Sequence, residues 1–332
     1  MALALACSAP MPGDTGASGP SFSYPLDDVL RVSDLQAVGT HNSYHLRATE
    51  TTLAAWDYAH PPLDAQAETL GVRQFELDLE RGADGAWQVF HIAGVDDASN
   101  CPLLTDCLAT LHAWSRAHPG HHPMLVLLEL KSPFDAGRAD DDLASLEDAV
   151  ASAWDRDALL TPDDVRGDAE NLRDAIAGRG WPTLGETRGR TLFVLHVGGA
   201  WRDRYLGPDG ATDGRILFPD AYDDLYAPWA AYHSMNDPLA DRQRIAGAVA
   251  LGHLVRTRAD VDGAQARAND PVQRDAALES GAHFVSTDFP APHPDTGYVV
   301  RMPGGSPSRC NPLRAPDTCV PGAVEAPDQL GG

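Results

Sequence analysis

The chain has no run of roughly 18 or more apolar residues, the length a membrane-spanning helix requires. Basic residues are few. Against 48 Asp and Glu there are 25 Lys and Arg, for a formal charge of −23 at pH 7. A protein that tracks a nucleic-acid backbone needs a basic face, so a nucleic-acid partner is excluded. General adsorption to anionic membranes is disfavoured too, although a local patch or a bound cation would still hold a single lipid headgroup. No GxGxxG or Walker pattern follows the first strand-like segment, which argues against nucleotide binding. No G-x-S-x-G elbow is present, which argues against Ser-His-Asp hydrolysis. No cysteine pair has C-x-x-C spacing, which argues against a structural zinc site.

Cysteines number five. Four form two close pairs, Cys101 with Cys107 and Cys310 with Cys319. Three connectivities are open to four cysteines, and local pairing is expected, which implies an oxidising compartment. The fifth, Cys7, ends the apolar segment MALALAC, and Ala4-Leu5-Ala6-Cys7 resembles the lipobox of bacterial lipoproteins. The Ser/Gly/Pro-rich stretch over 8–23 has the composition of a flexible tether. Export is expected, either as a lipoprotein anchored through lipidated Cys7 or as a secreted protein.

From residue 33 onward, apolar strand patterns alternate with helical ones and no composition break follows residue ~30. LQAVG runs into a polar turn carrying His41 and Asn42, and PPLDAQAETLG reads as a helix capped at Gly71. The strand over 72–79, a turn at Ala83-Asp84-Gly85 and a short strand ending on His91 follow. LLTDCLATLHAWSRA reads as a helix stopped by Pro119-Gly120, with His118, His121 and His122 in a solvated turn. MLVLLELK, TLFVLHVGG, RILFPDA, AAYHSMND, HLVRTRAD and HFVSTDFP supply later strands, and ARANDPVQRDAALESG one helix between the last two. Roughly eight buried-type strands alternating with helices predict a parallel sheet covered by helices. At 332 residues a single-domain α/β TIM-type (β/α)8 barrel is favoured over a doubly wound sheet. The expected organisation is a signal remnant and tether over 1–30, a catalytic barrel over 31–292, and a Pro/Gly-rich C-terminal tail with its cysteine pair over 293–332.

Polar residues gather at the ends of the strand patterns. These are His41 and Asn42, Glu76 and Asp78, His91, Glu129 and Lys131, Arg256 and Arg258, and Asp288. Residues i and i+2 of a strand share a face, so Glu76 and Asp78 aim one way. Barrel active sites form at the carboxyl ends of the strands, so these groups would converge in one cleft. Asn42, Glu76, Asp78 and Glu129 offer only oxygen ligands, three of them anionic, which suits Ca2+ or, as second choice, Mg2+ rather than zinc. Two histidines beside such a cation fit phosphodiester cleavage. His196 also ends a strand pattern, and a satisfied core histidine is the expectation there.

The blocks GTHNSYH, GVRQFELDLE, VFH and LLELK resemble the catalytic X-region of phosphoinositide-specific phospholipase C. GWPTLGETRGRTLFVLH, HLVRTRAD and RDAALESGAHFVSTDFP resemble the bacterial and fungal family described as Ca2+-dependent phosphoinositide phospholipase C. Together they span about residues 33–290. The resemblance implies a TIM-barrel phosphodiesterase in which an inositol 2-hydroxyl attacks the phosphate, releasing diacylglycerol and a cyclic inositol phosphate. It implies that His41 stabilises the pentacoordinate phosphorane, and that His91 acts as general acid or second phosphate donor. Asn42, Glu76, Asp78 and Glu129 would bind Ca2+, with Glu76 or Glu129 as general base. Lys131, Arg256, Arg258 and Asp288 are the candidate substrate contacts.

Accessory membrane-binding domains are absent from the sequence, so contact with lipid would come from barrel loops or the anchor. A monomer is expected. Two rival readings remain. A glycerophosphodiester phosphodiesterase, acting on soluble deacylated diesters, shares the ELD strand, the D-G turn, the following His and the E-x-K strand. A catalytically dead, surface lipid-binding lipoprotein is the other.

Overall fold

Short segments rich in Leu, Val and Phe, buried at nearly every position, form the strands of one mostly parallel barrel. A computed structural model describes residues 24–48, 53–304 and 307–330. Cys7 and the Ser/Gly/Pro-rich stretch over 8–23 lie outside the described residues, whereas 24–30, expected to belong to the tether, pack on the barrel with Leu30 buried and Asp27 paired with Arg188 at 2.6 Å. The strands are β1 (Leu35–Thr40), β2 (Val72–Arg81), β3 (Trp87–Val89), β4 (Met124–Leu130), β5 (Thr191–Leu195), β6 (Leu217–Pro219), β7 (Tyr232–Ser234), β8 (Leu254–Arg258), β9 (Phe284–Thr287) and β10 (Ser308–Cys310). Eight run in the order β6-β5-β4-β2-β1-β9-β8-β7, with every pairing along that path parallel. The two ends meet through the isolated parallel bridge Asp220–Tyr232, so a single bridge nearly closes the expected eight-stranded barrel. β3 extends β2 as an antiparallel hairpin, and β10 pairs antiparallel with β1.

Alternation divides each strand between two cores. Phe75, Leu77 and Leu79 of β2 and Val126, Leu128 and Leu130 of β4 face the helical layer, which includes α1 (Leu63–Thr69), α2 (Leu104–Ala117) and α3 (Ala139–Ala153). Leu35, Ala37, Leu125, Leu127, Leu192, Val194, Phe218, Tyr232, Leu254 and Phe284 pack inside the lower half of the barrel. Trp181 closes this inner cluster and donates from Nε1 to Gly252 O at 3.0 Å. Each buried Leu or Phe side chain stabilises by about 1.5–3 kcal/mol relative to exposure. Two glycines set the chain path. Gly71 ends α1 in the left-handed region (φ 68), and at Gly39 a Cβ would lie 1.9 Å from Gln74 Oε1, where β1 and β2 slip register.

Two local expectations change, while the expected local cysteine pairing holds. The segment 264–279 is two helices, Ala264–Ala268 and Val272–Glu279, broken by Asn269 (φ 50) ahead of Pro271. His121 and His122 are fully buried rather than solvated. His121 Nε2 meets Ser115 Oγ at 2.7 Å and His122 Nε2 meets Ser308 Oγ at 2.6 Å. Ser115 lies in α2, but Ser308 comes from the Pro/Gly-rich C-terminal segment, which packs against the barrel and buries Glu325 in an ion pair with Arg73 at 2.5 Å. The cysteines form two local disulfides, Cys101–Cys107 and Cys310–Cys319.

Candidate active site

Along each barrel strand the inward-facing row starts apolar or neutral and turns polar at the carboxyl end. β4 carries Leu125 and Leu127, then Glu129; β5 carries Leu192 and Val194, then His196 just beyond it; β9 carries Phe284 and Ser286, then Asp288. The period of two sends every second residue inward, and the parallel arrangement places all carboxyl ends at one mouth. His41, Asn42, Glu76, Asp78, Glu129, Lys131, Arg258 and Asp288 all lie at these ends.

The turn after β1 is held against β2. Ser43 N donates to Glu76 O at 2.9 Å and Glu76 N donates to Ser43 Oγ at 2.8 Å. Asn42 sits in this turn, 3 % exposed, with a left-handed backbone (φ 44) that Asn tolerates better than most residues. His41 Nδ1 lies 2.8 Å from Asp288 Oδ1, and Arg258 reaches both partners, 3.2 Å to Asp288 Oδ2 and 3.4 Å to His41 Nε2. Burial pulls the His41 pKa down, and the Arg258 guanidinium adds to that, against the opposite pull of Asp288. Burial alone would raise Asp288, but the charges of His41 and Arg258 outweigh it and bring the carboxyl to about 2. An ionised Asp288 accepts Nδ1–H and leaves Nε2 facing the mouth.

The carboxylates lie beside this histidine. Asp78 and Glu129 are register partners on adjacent strands. Burial first, and then the Glu129 charge, push Asp78 up to about 8. Lys131 Nζ pairs with Asp78 Oδ2 at 3.2 Å and donates to Glu129 Oε1 at 2.7 Å. Burial acts to lower the Lys131 pKa, but the two acids outweigh it and raise the value. Glu76 is held at about 2. Its burial acts to raise it, and the Arg256 guanidinium more than offsets this, helped by His41 and His196.

Arg256 departs from the expected substrate contact. It is 1 % exposed and its hydrogen bonds go to Glu76, to Asn236 Oδ1 at 2.5 Å and to Ser286 Oγ at 3.1 Å. It neutralises Glu76 beneath the mouth. Arg258, two residues nearer the carboxyl end, is the one that meets His41.

His91 stands on the rim beyond β3. Its Nδ1 lies 2.9 Å from Asp96 Oδ2, and its ring meets Trp56 edge-on with centroids 6.0 Å apart. Asp96 Oδ1 also bonds His45 Nε2 at 2.9 Å. Side-chain exposures of 25 % for His91 and 22 % for His41 leave both reachable from solvent. Among the described residues His91 shares no hydrogen bond with the other expected site residues.

The sequence reading does not single out Asp96 or Asp220, and it takes His196, at a strand end, for a satisfied core histidine. His196 Nδ1 lies 2.8 Å from the fully buried Asp220 Oδ2, and Nε2 lies 3.8 Å from Glu129 Oε2. Burial pulls His196 down, but its bond to Asp220 and the charges of Asp220, Glu76 and Glu129 outweigh it and leave the pKa raised. The signal available in sequence was its place at the end of TLFVLH, the same relative position as the acids. One oxygen each of Glu76 and Glu129 and a ring nitrogen of His196 lie within 4.8 Å of one another, and with Asp78, the register partner of Glu129, the carboxyl groups form a donor set that fits a hard divalent cation, whose charge would hold Asp78 ionised.

The sequence matches the family model described as "Phosphoinositide phospholipase C, Ca2+-dependent" over residues 30–87 and 83–312. A Ca2+-dependent phosphoinositol-specific phospholipase C from a Gram-negative Pseudomonas sp., in its myo-inositol complex, is similar with a TM-score of 0.59 and 20 % identity, covering 82 % of this chain and 95 % of that one. The Ca2+-dependent phosphatidylinositol-specific enzyme of Streptomyces antibioticus has a TM-score of 0.58 and 21 % identity, covering 79 % and 96 %. At these identities the likeness shows the barrel fold. An uncharacterised protein of Mycobacterium tuberculosis is 29 % identical over 150 residues, covering 42 % of this chain. The aligned region spans 30 % of that curated relative's length.

Proposed function

Because the chain belongs to the Ca2+-dependent phosphoinositide phospholipase C family, whose members are phosphoric diester hydrolases, we propose that it cleaves the glycerol–phosphate bond of phosphatidylinositol-type lipids through a cyclic inositol phosphate. The observation that carries this reading is the placement of His41, bonded to Asp288 and facing Arg258, at the same barrel mouth as Glu76, Asp78 and Glu129. Asn42, Glu76, Asp78 and Glu129 would hold Ca2+, which when bound neutralises phosphate oxygens and makes a nearby hydroxyl more acidic.

The chain's own groups then have separate tasks. Asp288 accepts Nδ1–H of His41 and supports its imidazolium when the anionic phosphate is bound, so that Nε2–H and the Arg258 guanidinium both donate to the phosphate. Arg258 supplies positive charge where the phosphorane gathers negative charge. His91, oriented by Asp96, hands a proton to the departing glycerol oxygen from Nε2. Glu129 takes the proton of the attacking inositol 2-hydroxyl, because its carboxylate is 28 % exposed while Glu76 is buried and bound by Arg256. Lys131, between Asp78 and Glu129, is the headgroup contact on the other side of the mouth.

A lipid rather than a soluble diester is favoured by the loops that follow the strands. Leu53, Ile92, Val95, Phe134, Leu239 and Val261 are exposed, and all lie on connections leaving carboxyl ends. That ring of apolar side chains gives the mouth an edge that inserts among lipids. No helix of the described residues is long and apolar enough to cross a membrane. Two disulfides fit an exported protein, and lipidation of Cys7 would tether the barrel at a surface. The test compares phosphatidylinositol with glycerophosphoinositol, each with and without chelator. Chelator-sensitive release of diacylglycerol from the lipid supports the proposal; turnover of the soluble diester alone would replace it with the glycerophosphodiesterase reading. No turnover of either substrate, with an unaffected His41→Ala variant, would leave a lipid-binding barrel.

A further inference from the structure

One carboxylate serves two histidines at the rim of the mouth. Asp96 lies in the loop that follows β3 and is 2 % exposed. Its Oδ2 stands 2.9 Å from His91 Nδ1, and its Oδ1 stands 2.9 Å from His45 Nε2. His91 is open to solvent, whereas His45 is fully buried. The His45 ring stacks on Tyr58, with centroids 4.3 Å apart and planes 27° apart. Its Nδ1 is buried and has no hydrogen-bond partner among the described residues. A neutral imidazole has one N–H to place, and a buried N–H without an acceptor is costly. Only Nε2 has an acceptor, so His45 carries its proton there and donates it to Asp96.

His45 belongs to the turn that carries the phosphate-facing groups. His41 and Asn42 precede it, Ser43 clamps the turn to Glu76, and His45 N donates to Asn42 O at 2.8 Å. His60 ties the same turn from the other side. Its N donates to His45 O at 2.9 Å, and its Nε2 donates to His41 O at 3.0 Å. Backbone bonds from Asn100 N to Tyr44 O at 2.8 Å and from Leu46 N to Ala98 O at 3.2 Å dock the Asp96 loop on this turn. Those bonds place the loop, but the hydrogen bond that reaches the His91 ring comes from the Asp96 carboxylate. With Oδ1 held by His45, the carboxylate cannot swing, and Oδ2 stays aimed at His91 Nδ1.

We propose that His45 is a positioning residue for the proton donor His91, acting through Asp96. The inference rests on the reading of His91 as the general acid and names what aims it. His91 gives its Nε2 proton to the glycerol oxygen as the phosphorus–oxygen bond breaks and its electron pair leaves with that oxygen. Nδ1–H stays on Asp96 Oδ2 throughout, so the ring plane and the direction of Nε2 are set by where Oδ2 is held. Without the His45 N–H, Oδ1 is a buried acceptor with no donor, and the carboxylate turns away or takes up a proton. The turn over 41–45 thus fixes the phosphate-facing histidine directly and the proton-donating one at one remove.

The test uses the full chain and two substrates that differ in leaving group. Phosphatidylinositol in mixed micelles expels an alkoxide, which needs a proton. The para-nitrophenyl ester of inositol phosphate expels a nitrophenolate, which does not. His91→Ala is the control, and should lose at least about 100-fold more kcat on the lipid than on the nitrophenyl ester. His45→Phe keeps a ring against Tyr58 but has no N–H. It should lower kcat on the lipid by about 10–100-fold, with KM and nitrophenyl ester turnover each within about threefold. His45→Gln restores an N–H at similar reach, and should bring lipid turnover to within about fivefold of the unmodified protein. Circular dichroism and thermal melts establish folding. Independently of any variant, 15N NMR of the unmodified protein at pH 7 should find the His45 proton on Nε2. Intact lipid turnover in folded His45→Phe, equal losses on both substrates, no rescue by His45→Gln, or a His45 proton on Nδ1 would overturn the proposal while leaving His91 as the acid. Equal losses on both substrates in His91→Ala would overturn the reading of His91, and no lipid turnover by the unmodified chain would overturn the proposed function; this inference would fall with either.

Discussion

Asp288→Asn isolates the histidine arrangement from the cation. Asp288 now accepts from His41 Nδ1 at 2.8 Å on one oxygen and from Arg258 at 3.2 Å on the other. An asparagine has one acceptor oxygen and one amino group in nearly the same shape. Arg258 has only donors, so it takes the oxygen and the amide NH2 faces Nδ1. His41 must then accept at Nδ1, which holds it neutral and removes the imidazolium charge that Asp288 supports. The substitution also removes a charge-assisted hydrogen bond worth about 1.5–3 kcal/mol. The Asp→Asn change beside the histidine of a Ser-His-Asp triad, where the carboxylate likewise stabilises an imidazolium, costs about 10^4 in kcat. Here Arg258 stays beside the phosphate and retains part of the charge stabilisation, so a fall in kcat of about 10^3-fold is expected, about 4 kcal/mol. KM for phosphatidylinositol in mixed micelles should stay within about threefold, because neither Lys131 nor the carboxylates are disturbed. Initial rates on phosphatidylinositol micelles, with circular dichroism as folding control, read this directly. A folded variant retaining more than about a tenth of kcat would refute the assigned role of Asp288.

Arg256→Met strips Glu76 of its buried counter-charge, and should lower the urea-unfolding free energy by about 3–5 kcal/mol. A loss below about 1 kcal/mol would mean that the pair is solvated or that Glu76 is neutral. Stability should fall as pH drops from about 6.5. His121 and His283 are buried, and burial lowers the pKa of each to about 3, so the unfolded chain binds protons first and each removes up to about 1.4 kcal/mol per pH unit. That stabilisation is complete above pH 6.5 and lost towards pH 3, and a flat urea-unfolding free energy between pH 7 and 5 would contradict it. Glu325 works in a lower window. Its carboxyl is brought from 4.5 to about 2 because Arg73 outweighs burial, so the ion pair contributes about 3 kcal/mol above pH 4.5 and fades as pH falls towards 2; Glu325→Gln should show its deficit at pH 6, and an unchanged urea midpoint there would rule it out. Val95→Glu combined with Leu239→Glu should reduce sedimentation with phosphatidylinositol vesicles by about 10-fold or more, since each exposed apolar side chain gains up to about 1.5–3 kcal/mol on insertion. Turnover of a short-chain, monomeric phosphatidylinositol should not change; equal losses on both substrates would point to a damaged site instead.

Much of the barrel is legible because alternation is local. FELDL places Glu76 and Asp78 on one face whatever the rest of the chain does, and LLELK does the same for Glu129 and Lys131. The strand-end rule then brings them to one mouth. Depth along a strand is less legible. Arg256 and Arg258 share a face and read alike, yet only Arg258 reaches His41, because one further step of two residues moves a side chain from beneath the mouth into it. His196 reads as a core histidine for the same reason: its burial is real, but its Nε2 points towards Glu129. His122 is not legible without the C-terminal segment, since Ser308 and Glu325 lie nearly 200 residues away in sequence. Asp96 gives no local signal, because its role comes from a loop that brings His45 and His91 to its two oxygens. Closure of the barrel rests on the single Asp220–Tyr232 bridge, which no pattern in RILFPDA or AAYHSMND announces.

The central claim is that this mouth makes a cyclic inositol phosphate with the help of a bound divalent cation. Phosphorus NMR of phosphatidylinositol incubated with the full chain tests it most directly. The account predicts a five-membered cyclic phosphodiester resonance that grows with time, ceases on chelation and is absent with His41→Ala. Direct appearance of an acyclic inositol monophosphate with no cyclic signal at any time, or a rate indifferent to chelator, would contradict it.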